Sequence, residues 1–362
     1  MTSPPAELPR IIQVASGREW RGGQRQVLLL ARSLRERGLD QIVVTNADGR
    51  LASELVKSAV PVRLVRWGTA LSPAAFAAIW SETRRRPAIL HAHDAHSLTL
   101  VGGVATMTRR PFVVTRRVDL PLRHQLFWRR ANRVLAVSEA VRQVLLADGI
   151  APARIEVVHS GIDADRVRRA GTRGVRAELG LPARGPLVVN VAALVQPKGH
   201  RLLIEAAALL HGRHPDLHWA VAGAGEQHSA LLRLARDRGL ASVVHFVGEM
   251  DEPARLIAEA TVFVSCSAGE ALGNSILEAM AIGAPVIATR VGGVPELLGE
   301  GAGILIDPAR ADQLAAAVEW LLGDEKARRG VTQEATARLE RFTAEGMAAR
   351  VLQVYRSVVL GH

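Results

Sequence analysis

Two glutamates stand eight residues apart in the stretch GEALGNSILEAMAIG, which runs from Gly269 to Gly283. Glu270 precedes a Gly-Asn pair and Glu278 follows it, a pattern typical of a loop that turns into a helix. Paired carboxylates can act as an acid and a base, hold a metal ion, or accept hydrogen bonds from a ligand. A metal site needs a third or fourth ligand nearby, and this loop offers none. A two-carboxylate glycosidase remains possible on the spacing alone.

Two other interpretations concern the start of the helix. In the first, Ser275 and Glu278 form a capping box, in which the serine caps the helix and the glutamate reaches back to its amide. This leaves Glu270 and the turn at Gly273 and Asn274 without a role. In the second, the helix begins near Asn274 or Ser275 with amides that suit a phosphate, and Gly273 lets the backbone approach the ligand. Glu278, in the first turn, would accept ribose hydroxyls, and Glu270 those of a second ring. A diphosphate-linked sugar uses every feature, so we favour the second interpretation.

The elements that must position this loop alternate along the chain. The apolar runs RIIQVAS, LDQIVVTN, AILHAH, PFVVTRR and RVLAVS predict strands, with amphipathic helical stretches between them. The pattern restarts with LVVNVAAL, HWAVAGAG, VVHFVG, TVFVSCS and PVIATR. Continuous Val, Ile and Leu runs that alternate with helices are typical of a parallel sheet covered on both faces. The sequence therefore predicts an α/β protein with two doubly wound domains, residues 1–165 and 166–340, and a last amphipathic helix within 341–362.

Composition restricts the class of protein. A chain of 362 residues, 48% hydrophobic and 22% charged, is globular and long enough for two domains. No stretch reaches the roughly 18 apolar residues of a membrane span, and MTSPPAELPR lacks the basic and apolar regions of a secretory signal. Cys266 is the only cysteine, which excludes internal disulfides. We therefore expect a cytoplasmic protein in which Cys266 is a small buried residue.

The net charge of +11 is unevenly placed. Residues 1–165 hold 24 Arg and Lys against 14 Asp and Glu, whereas residues 166–362 hold 22 against 21. A basic first half could face nucleic acid, an anionic membrane or a phosphorylated substrate. Thirteen aromatic residues in the whole chain offer few stacking platforms, which argues against nucleic acid. In RHQLFWRR, residues 123–130, Leu126, Phe127 and Trp128 lie among cations as in an interfacial helix, so we expect docking on an anionic membrane or on a phosphate-bearing glycan acceptor.

A second polar cluster follows the predicted strand AILHAH. The segment HAHDAHS holds His91, His93 and His96 beside Asp94. A metal site is one interpretation. We favour the other, in which these residues line a ligand cleft at the carboxyl end of the strand.

The joined block from Glu270-x7-Glu278 through AMAIGAPVIATRVGGVPELL resembles the signature of the retaining GT-B glycosyltransferases of family 4, also called group 1. The Glu-x7-Glu spacing alone is weak, but the joined block is specific. Similar segments recur along nearly the whole chain: RGGQRQVLLLARSL, HAHD, VLAVSEAV, VVHSGID, QPKGHRLLIEAAALL, AGAGE and FVGEMDE. The resemblance implies two Rossmann-like domains that face each other across a cleft, with the C-terminal helix packed back on the first.

The resemblance also implies roles at the matched positions. Lys198, in PKG, would contact the donor diphosphate, and Glu270 would bind the transferred sugar near its reacting face, so these two are the predicted catalytic residues. Glu278 would hold the ribose. The other predicted donor-binding residues are Gly273, Asn274, Ser275, Gly22, Gly23 and Met250, the last presenting backbone to the base. The acceptor-side or sugar-side candidates are His93, Asp94, Arg116 and Arg117, and no metal is expected.

Two positions depart from the family pattern. The family often has an arginine five residues before the lysine, where this chain has Ala193. It also often has a histidine where this chain has Arg117, in TRRVD. The lost arginine weakens the predicted phosphate site of the second domain. The candidates to compensate from the first domain are Arg116, Arg117, Arg21 and Arg25.

The predicted activity is retaining, metal-independent transfer of a hexose-type sugar from a nucleoside-diphosphate sugar, with no permanently bound cofactor. The acceptor would be a glycan or a lipid-linked molecule of cell-envelope polysaccharide or lipopolysaccharide type. The protein would work in the cytoplasm, free or peripheral on the inner face of the membrane. Two alternatives stay open: a GT-B sugar-nucleotide epimerase, which acts without an acceptor, and a non-catalytic homologue that binds a sugar nucleotide.

Overall fold

The structure is a computed structural model that describes residues 8–68, 71–122 and 124–361. The chain divides into two compact units. Unit 1 comprises Met1–Gly161 together with Thr343–His362, and unit 2 is the continuous stretch Ile162–Phe342. The two ends of unit 2 meet, because the amide of Ile162 donates to the carbonyl of Phe342 at 2.8 Å. The boundaries lie a few residues from those predicted at 165 and 340.

The strands of each unit follow the predicted apolar runs, with three short additions. In unit 1 they are β1 Arg10–Ala15, β2 Gln41–Asn46, β3 Val62–Val65, β4 Ala88–Ala92, β5 Phe112–Arg116, β6 Arg133–Ala136 and β7 Ile155–Val157. In unit 2 they are β8 Leu187–Val191, β9 His218–Ala222, β10 Val244–Gly248, β11 Val262–Ser265, β12 Val286–Thr289 and β13 Ile304–Ile306. The additions are β3, β7 and β13.

Helices connect these strands. In unit 1 they are α1 Gly22–Glu36, α2 Arg50–Lys57, α3 Pro73–Arg85, α4 Ala95–Thr108, α5 Leu126–Arg130, α6 Glu139–Ala147 and, after unit 2, α15 Ala344–Leu360. In unit 2 they are α7 Ala164–Ala170, α8 His200–His211, α9 His228–Asp237, α10 Ala254–Ile257, α11 Asn274–Ile282, α12 Val294–Leu298, α13 Ala311–Gly323 and α14 Glu325–Leu339.

Both sheets are parallel, and their first six strands follow the same order, 3-2-1-4-5-6, counted from the start of each unit. In the described residues the sheet of unit 1 runs β3-β2-β1-β4-β5-β6-β7, and that of unit 2 runs β10-β9-β8-β11-β12-β13. The order therefore reverses between β1 and β4 in unit 1, and between β8 and β11 in unit 2. Ligands of doubly wound sheets bind at the carboxyl ends of the strands that flank such a switch point. The predicted fold of two Rossmann-like domains is confirmed, and the loops after these four strands are where a site is expected.

The C-terminal helix α15 completes the core of unit 1. It buries Met347, Val351 and Tyr355 against Ile11 of the sheet and Leu34 of α1. The prediction that the last helix packs on the first domain is confirmed. The core of unit 2 is separate and gathers around Trp219, with α8 and α13 packed side by side.

Helix α5 corrects the predicted interfacial helix. It has only five residues, and Arg123, which precedes it in the predicted segment, lies outside the described residues. Trp128 is only 4% exposed, with the Arg116 guanidinium carbon 5.4 Å from its ring centre. The ring of Phe127 packs on Gly102, where a Cβ atom would lie 2.2 Å from it. Leu126 alone of the three apolar residues is exposed, at 56%. The two aromatic rings therefore stabilise unit 1 instead of forming an outer apolar face. No helix in the described residues is long and apolar enough to cross a membrane.

Candidate functional site

The loop after β8 brings Lys198 to the switch point of unit 2. Lys198 ends a single 3-10 turn, Gln196–Lys198, and Gly199 follows with a left-handed φ of 67°. A Cβ atom on Gly199 would lie 1.9 Å from the carbonyl oxygen of Cys266, so only glycine fits. The amide of Ala268 donates to the carbonyl of Pro197 at 2.8 Å. The loops after β8 and β11 are thus packed together through their backbones.

Lys198 and Glu270 form an ion pair at this point. Nζ of Lys198 lies 2.5 Å from Oε2 of Glu270, and Oγ of Ser267 donates to the same oxygen at 3.2 Å. The side chains are 28% and 18% exposed, so water and a ligand can reach both. The two predicted catalytic residues, 72 positions apart in the chain, are therefore brought together. An ammonium beside a carboxylate can bind a phosphate and a sugar hydroxyl side by side once the two groups separate.

The backbone of Glu270 is fixed by a third loop. Its carbonyl oxygen accepts the amide of Gly293 at 3.0 Å. Gly292, with φ 49°, approaches so closely that a Cβ atom there would lie 1.9 Å from the same oxygen. The loops after β8, β11 and β12 therefore hold Glu270 from both sides, which favours a rigid position for its carboxylate.

Helix α11 begins one residue after Gly273, which is its N-cap with φ 116°. No side chain caps this end and no acidic residue lies in the first turn. Ser275 is the second helical residue and Glu278 the fifth, so the capping-box interpretation is wrong, as is the expectation that Glu278 lies in the first turn. The reason is that Gly273, in the left-handed conformation, is the N-cap and starts the helix two residues earlier than a cap at Ser275 would. The amino end of α11 thus has the form that suits a phosphate, and Asn274 is its first residue.

Ala193 lies five residues before Lys198, at the position where the family often has an arginine. Its carbonyl accepts the amide of Val195 at 2.8 Å. Two first-domain candidates to replace that arginine already contact their own unit. Arg21 forms an exposed ion pair with Glu19 at 2.5 Å, and the guanidinium carbon of Arg25 lies 5.9 Å from the ring centre of Trp20. Compensation for Ala193 stays a prediction. So does the base contact of Met250, which is half-buried in the loop after β10.

In unit 1, Asp94 bridges the two loops of the switch point. Its Oδ1 accepts the hydroxyl of Ser16 at 2.6 Å and the amide of Ser97 at 2.8 Å. Its Oδ2 accepts the amide of Ser16 at 2.8 Å. The carboxylate therefore caps α4 and joins it to the loop after β1. This use is structural, and a contact of Asp94 with substrate stays a prediction.

The buried histidines of HAHDAHS bond to protein groups. Nδ1 of His91 lies 2.6 Å from the hydroxyl of Tyr355, and Nε2 lies 2.7 Å from Oγ1 of Thr115. Nε2 of His93 lies 2.9 Å from Oε1 of Gln13. Burial is the largest cause that holds the pKa of each histidine well below its usual value; the charge of Arg117 adds to it for both, and His91 adds to it for His93, so both are neutral at pH near 7. The metal interpretation of this segment is not supported, since the described residues contain no group of three or more His, Cys, Asp and Glu side chains able to hold a metal ion.

Arg116 is the last residue of β5 and Arg117 follows it, but their side chains bond to different partners. Arg116 donates to the carbonyl of Leu120 and lies over a tryptophan ring, so it supports its own loop. Arg117 donates from one terminal nitrogen to the carbonyl of His93 at 3.0 Å, and from the other to Nδ1 of His93 at 3.2 Å. A Cβ atom on Gly23 would lie 3.7 Å from Cδ of Arg117. Burial lowers the pKa of Arg117 to about 10, so the group remains cationic at neutral pH. It lies beside the start of α1, which no side chain caps.

Two family models together match most of the chain. The one described as Glycosyltransferase Family 4 matches residues 20–166, which include Gly22, Gly23, Asp94 and Arg117. The one described as Glycosyl transferases group 1 matches residues 173–338, which include Lys198, Glu270 and Glu278. The chain belongs to the group 1, family 4 glycosyltransferases.

Curated relatives of this glycosyltransferase chain carry two activities in their names. A D-inositol 3-phosphate glycosyltransferase of Corynebacterium urealyticum is 32% identical over 219 residues, 57% of this chain and 52% of that protein. The lipopolysaccharide core biosynthesis glycosyltransferase LpsE of Rhizobium meliloti is 34% identical over 184 residues, 50% of this chain and 53% of that protein. The chain thus aligns with about half the length of each relative.

The fold is shared with solved glycosyltransferase structures. Anabaena HepE in complex with UDP-glucose superposes with a TM-score of 0.85, at 22% identity, over 96% of this chain and 100% of that chain. Identity this low shows the fold and not the substrate. The predicted GT-B class is confirmed.

Sequence reasoning missed two residues that bond to predicted members of the candidate site. Ser267 bonds the carboxylate of Glu270, and Ser16 bonds that of Asp94. Ser16 directly follows β1 and Ser267 lies two residues after the end of β11, the strands that flank the two switch points, and this placement is the signal that could have identified them. His200, the first residue of α8, was also missed. It is buried, burial followed by the Lys198 charge lowers its pKa to about 4, and its Nε2 has no hydrogen-bond partner in the described part of the chain.

Proposed function

We propose that this glycosyltransferase moves a hexose-type sugar from a nucleoside-diphosphate sugar to a glycan or lipid-linked acceptor, with retention of configuration and without a metal ion. The observation that supports the proposal is the Lys198–Glu270 ion pair at the switch point of unit 2. Glu270 lies three residues before Gly273, the N-cap of α11. UDP-glucose is the first donor to test, because the HepE structure contains it. The names of the two curated relatives support an acceptor of phospho-inositol or lipopolysaccharide-core type.

The charges of the pair match those of glycosyl transfer. Departure of the nucleotide builds negative charge on the diphosphate, and the sugar becomes positively charged at its reacting carbon. Lys198 and the first amides of α11 stabilise the first charge, and Glu270 holds the sugar that carries the second. The acceptor hydroxyl attacks from the face that the nucleotide leaves, and the departing phosphate takes its proton. No histidine base is needed, which agrees with the engagement of His91 and His93 in bonds to the protein.

A lipid-linked acceptor would be reached through the segment that follows Arg117. Val118, Leu120 and Leu126 are exposed there, and Arg129 and Arg130 at the end of α5 are exposed as well. Exposed apolar side chains next to cations favour binding to an anionic membrane. Co-sedimentation with liposomes is expected to require anionic lipid and to fall at high salt. Replacing Leu120 and Leu126 by serine should weaken it, and binding that ignores lipid charge and salt would contradict this part of the proposal.

The test is release of nucleoside diphosphate from UDP-, GDP-, ADP- and TDP-sugars, with and without candidate acceptors. Thermal-shift screening selects the donor first, because a ligand at 100 times its Kd stabilises the folded state by about 2.7 kcal/mol. Release that depends on acceptor, unchanged by EDTA, and a product with the donor's anomeric configuration by NMR are expected. Epimer formation without acceptor would show an epimerase instead, and tight binding without turnover would show a binding protein.

A further inference from the structure

A buried chain of amide groups connects His93 to a backbone carbonyl. Nε2 of Gln41 donates to the carbonyl of Ala31 at 2.5 Å, and Nε2 of Gln13 donates to Oε1 of Gln41 at 2.7 Å. Oε1 of Gln13 then faces Nε2 of His93 at 2.9 Å. All three side chains are buried, so water does not compete for these bonds.

The carbonyl of Ala31, at one end of this series of hydrogen bonds, sets the direction of every bond in it. A carbonyl oxygen only accepts, so the group of Gln41 that faces Ala31 must be its NH₂. The oxygen of Gln41 therefore faces Gln13, and Gln13 must donate to it. This turns the oxygen of Gln13 toward His93, whose Nε2 must then carry the proton. Neutral His93 is thus the Nε2–H tautomer, with a lone pair on Nδ1.

The lone pair on Nδ1 of His93 can accept a hydrogen bond from Arg117. Arginine has only donors, and its two terminal nitrogens bond the Nδ1 and the carbonyl of His93, at 3.2 and 3.0 Å. The other tautomer would set an N–H against an N–H at this contact. The Nε of Arg117 is buried and has no hydrogen-bond partner among the described residues. The guanidinium is therefore held on the His93 side, with donors left over.

We propose that His93 is a positioning residue, which holds Arg117 beside Gly23 at the start of α1 so that its remaining N–H groups can bind a substrate oxygen. Arginine stays charged, so the favoured oxygen is one that carries or develops negative charge, such as that of a phosphate. The inference rests on the proposed function for its substrate, but not for the tautomer or for the order of the arginine. It gives Gln13 and Gln41 a role as well, since they fix the tautomer.

The first experiment is NMR of the ¹⁵N-labelled full chain at about pH 7. Long-range imidazole spectra should show the Nε2–H tautomer for His93, and Arg117 should give a sharp Nε–H signal because its rotation is restricted. His93→Asn keeps an acceptor close to the position of Nδ1 and should preserve that signal, whereas His93→Leu should broaden it. Tyr355→Phe is the matched control, because it removes an equally buried bond, to His91, and keeps the partners of the hydrogen bonds that His93 makes. An Nδ1–H tautomer, or an Arg117 signal indifferent to His93→Leu, would overturn the inference.

The second experiment separates positioning from stability through kinetics. His93→Leu should lower kcat/KM by about 100-fold, as misplacement of a binding group does, and Arg117→Ala by a similar factor. The double variant should be no worse than either single one, because both remove the same contact. His93→Asn should stay within about threefold of the wild type, and all variants are checked by circular dichroism. Additive losses would overturn the inference. If the wild type turns over no donor, the proposed function fails, and the NMR result still decides the role of His93.

Discussion

The Lys198–Glu270 pair predicts opposite effects on nucleotide binding for its two members. The ammonium of Lys198 lies 2.5 Å from the carboxylate of Glu270. For Lys198 to bind a diphosphate it must leave Glu270, so the carboxylate competes with the ligand for the same cation. Lys198→Ala should therefore weaken binding of UDP, whereas Glu270→Gln should strengthen it by about fivefold, equivalent to about 1 kcal/mol for a partly exposed pair.

Turnover should fall in both variants. Lys198→Ala removes a preorganised cation from where the leaving group becomes charged, which costs about 10²–10³-fold or about 3–4 kcal/mol of activation free energy. Glu270→Gln removes the charge that faces the sugar and should also slow transfer. The cost to folding is small. Glu270 keeps its bond from Ser267 after loss of the lysine, so we expect a loss of about 1–2 kcal/mol, between the values for exposed and buried pairs.

The test compares the two variants and their double mutant with the wild type. Calorimetry measures UDP affinity, steady-state kinetics measure turnover, and circular dichroism checks the fold. Lys57→Ala is the matched control, because Lys57 pairs with Glu54 at 2.9 Å on the exposed face of α2. It should change neither binding nor turnover. A folded Lys198→Ala protein within about threefold of wild-type turnover would mean that the diphosphate is held elsewhere. A Glu270→Gln variant that loses UDP affinity as Lys198→Ala does would refute the competition.

Three further predictions follow from the same unit. Glu278→Gln should weaken donor binding in calorimetry with little change in melting temperature, and unchanged affinity would remove its assigned ribose contact. Gly199→Ala should lower the free energy of unfolding in urea by about 2–4 kcal/mol, because the new methyl group meets the carbonyl of Cys266 at a left-handed φ, whereas Gly212→Ala, with open space and an ordinary φ, should be neutral or slightly stabilising. Burial lowers the pKa of His200 to about 4, so only the unfolded chain takes up its proton as the pH falls from about 6.5. The wild type should therefore lose up to about 3 kcal/mol more stability than His200→Gln between about pH 6.5 and 4, and equal losses would contradict that pKa.

The strands that could be predicted from the sequence are those buried on both faces. β1, β4, β8 and β11 read as continuous apolar runs because helices cover both sides of each sheet. The three strands that were not predicted, β3, β7 and β13, lie at sheet edges and are short and partly exposed. Their residues carry no run or alternation long enough to distinguish them from loops.

In the candidate site, sequence indicated which loops matter but not which partners their side chains take. Lys198 and Glu270 could be placed near each other because both follow strands of one parallel sheet. The packing of Phe127 and Trp128 could not be predicted, because Phe127 packs on Gly102 and Trp128 lies under Arg116, both distant in sequence. The start of α11 near Asn274 was predicted, but its cap was left open between two interpretations, since Ser and Gly are both acceptable N-caps and only the backbone conformation of Gly273 decides between them.

Unit 2 lies between the two stretches of unit 1 in the sequence, and this order affects how the protein folds during synthesis on the ribosome. Unit 2 is one continuous stretch, and the backbone hydrogen bond between Ile162 and Phe342 joins its ends. It can therefore fold as soon as it has emerged from the ribosome. The seven-stranded sheet of unit 1 emerges earlier but lacks α15, whose Met347, Val351 and Tyr355 fill its core. Its apolar face must therefore remain open to chaperones until the last helix is made. A stop codon after Phe342 would remove α15 and leave unit 2 intact, yet the part unable to complete its core would be the amino-terminal one.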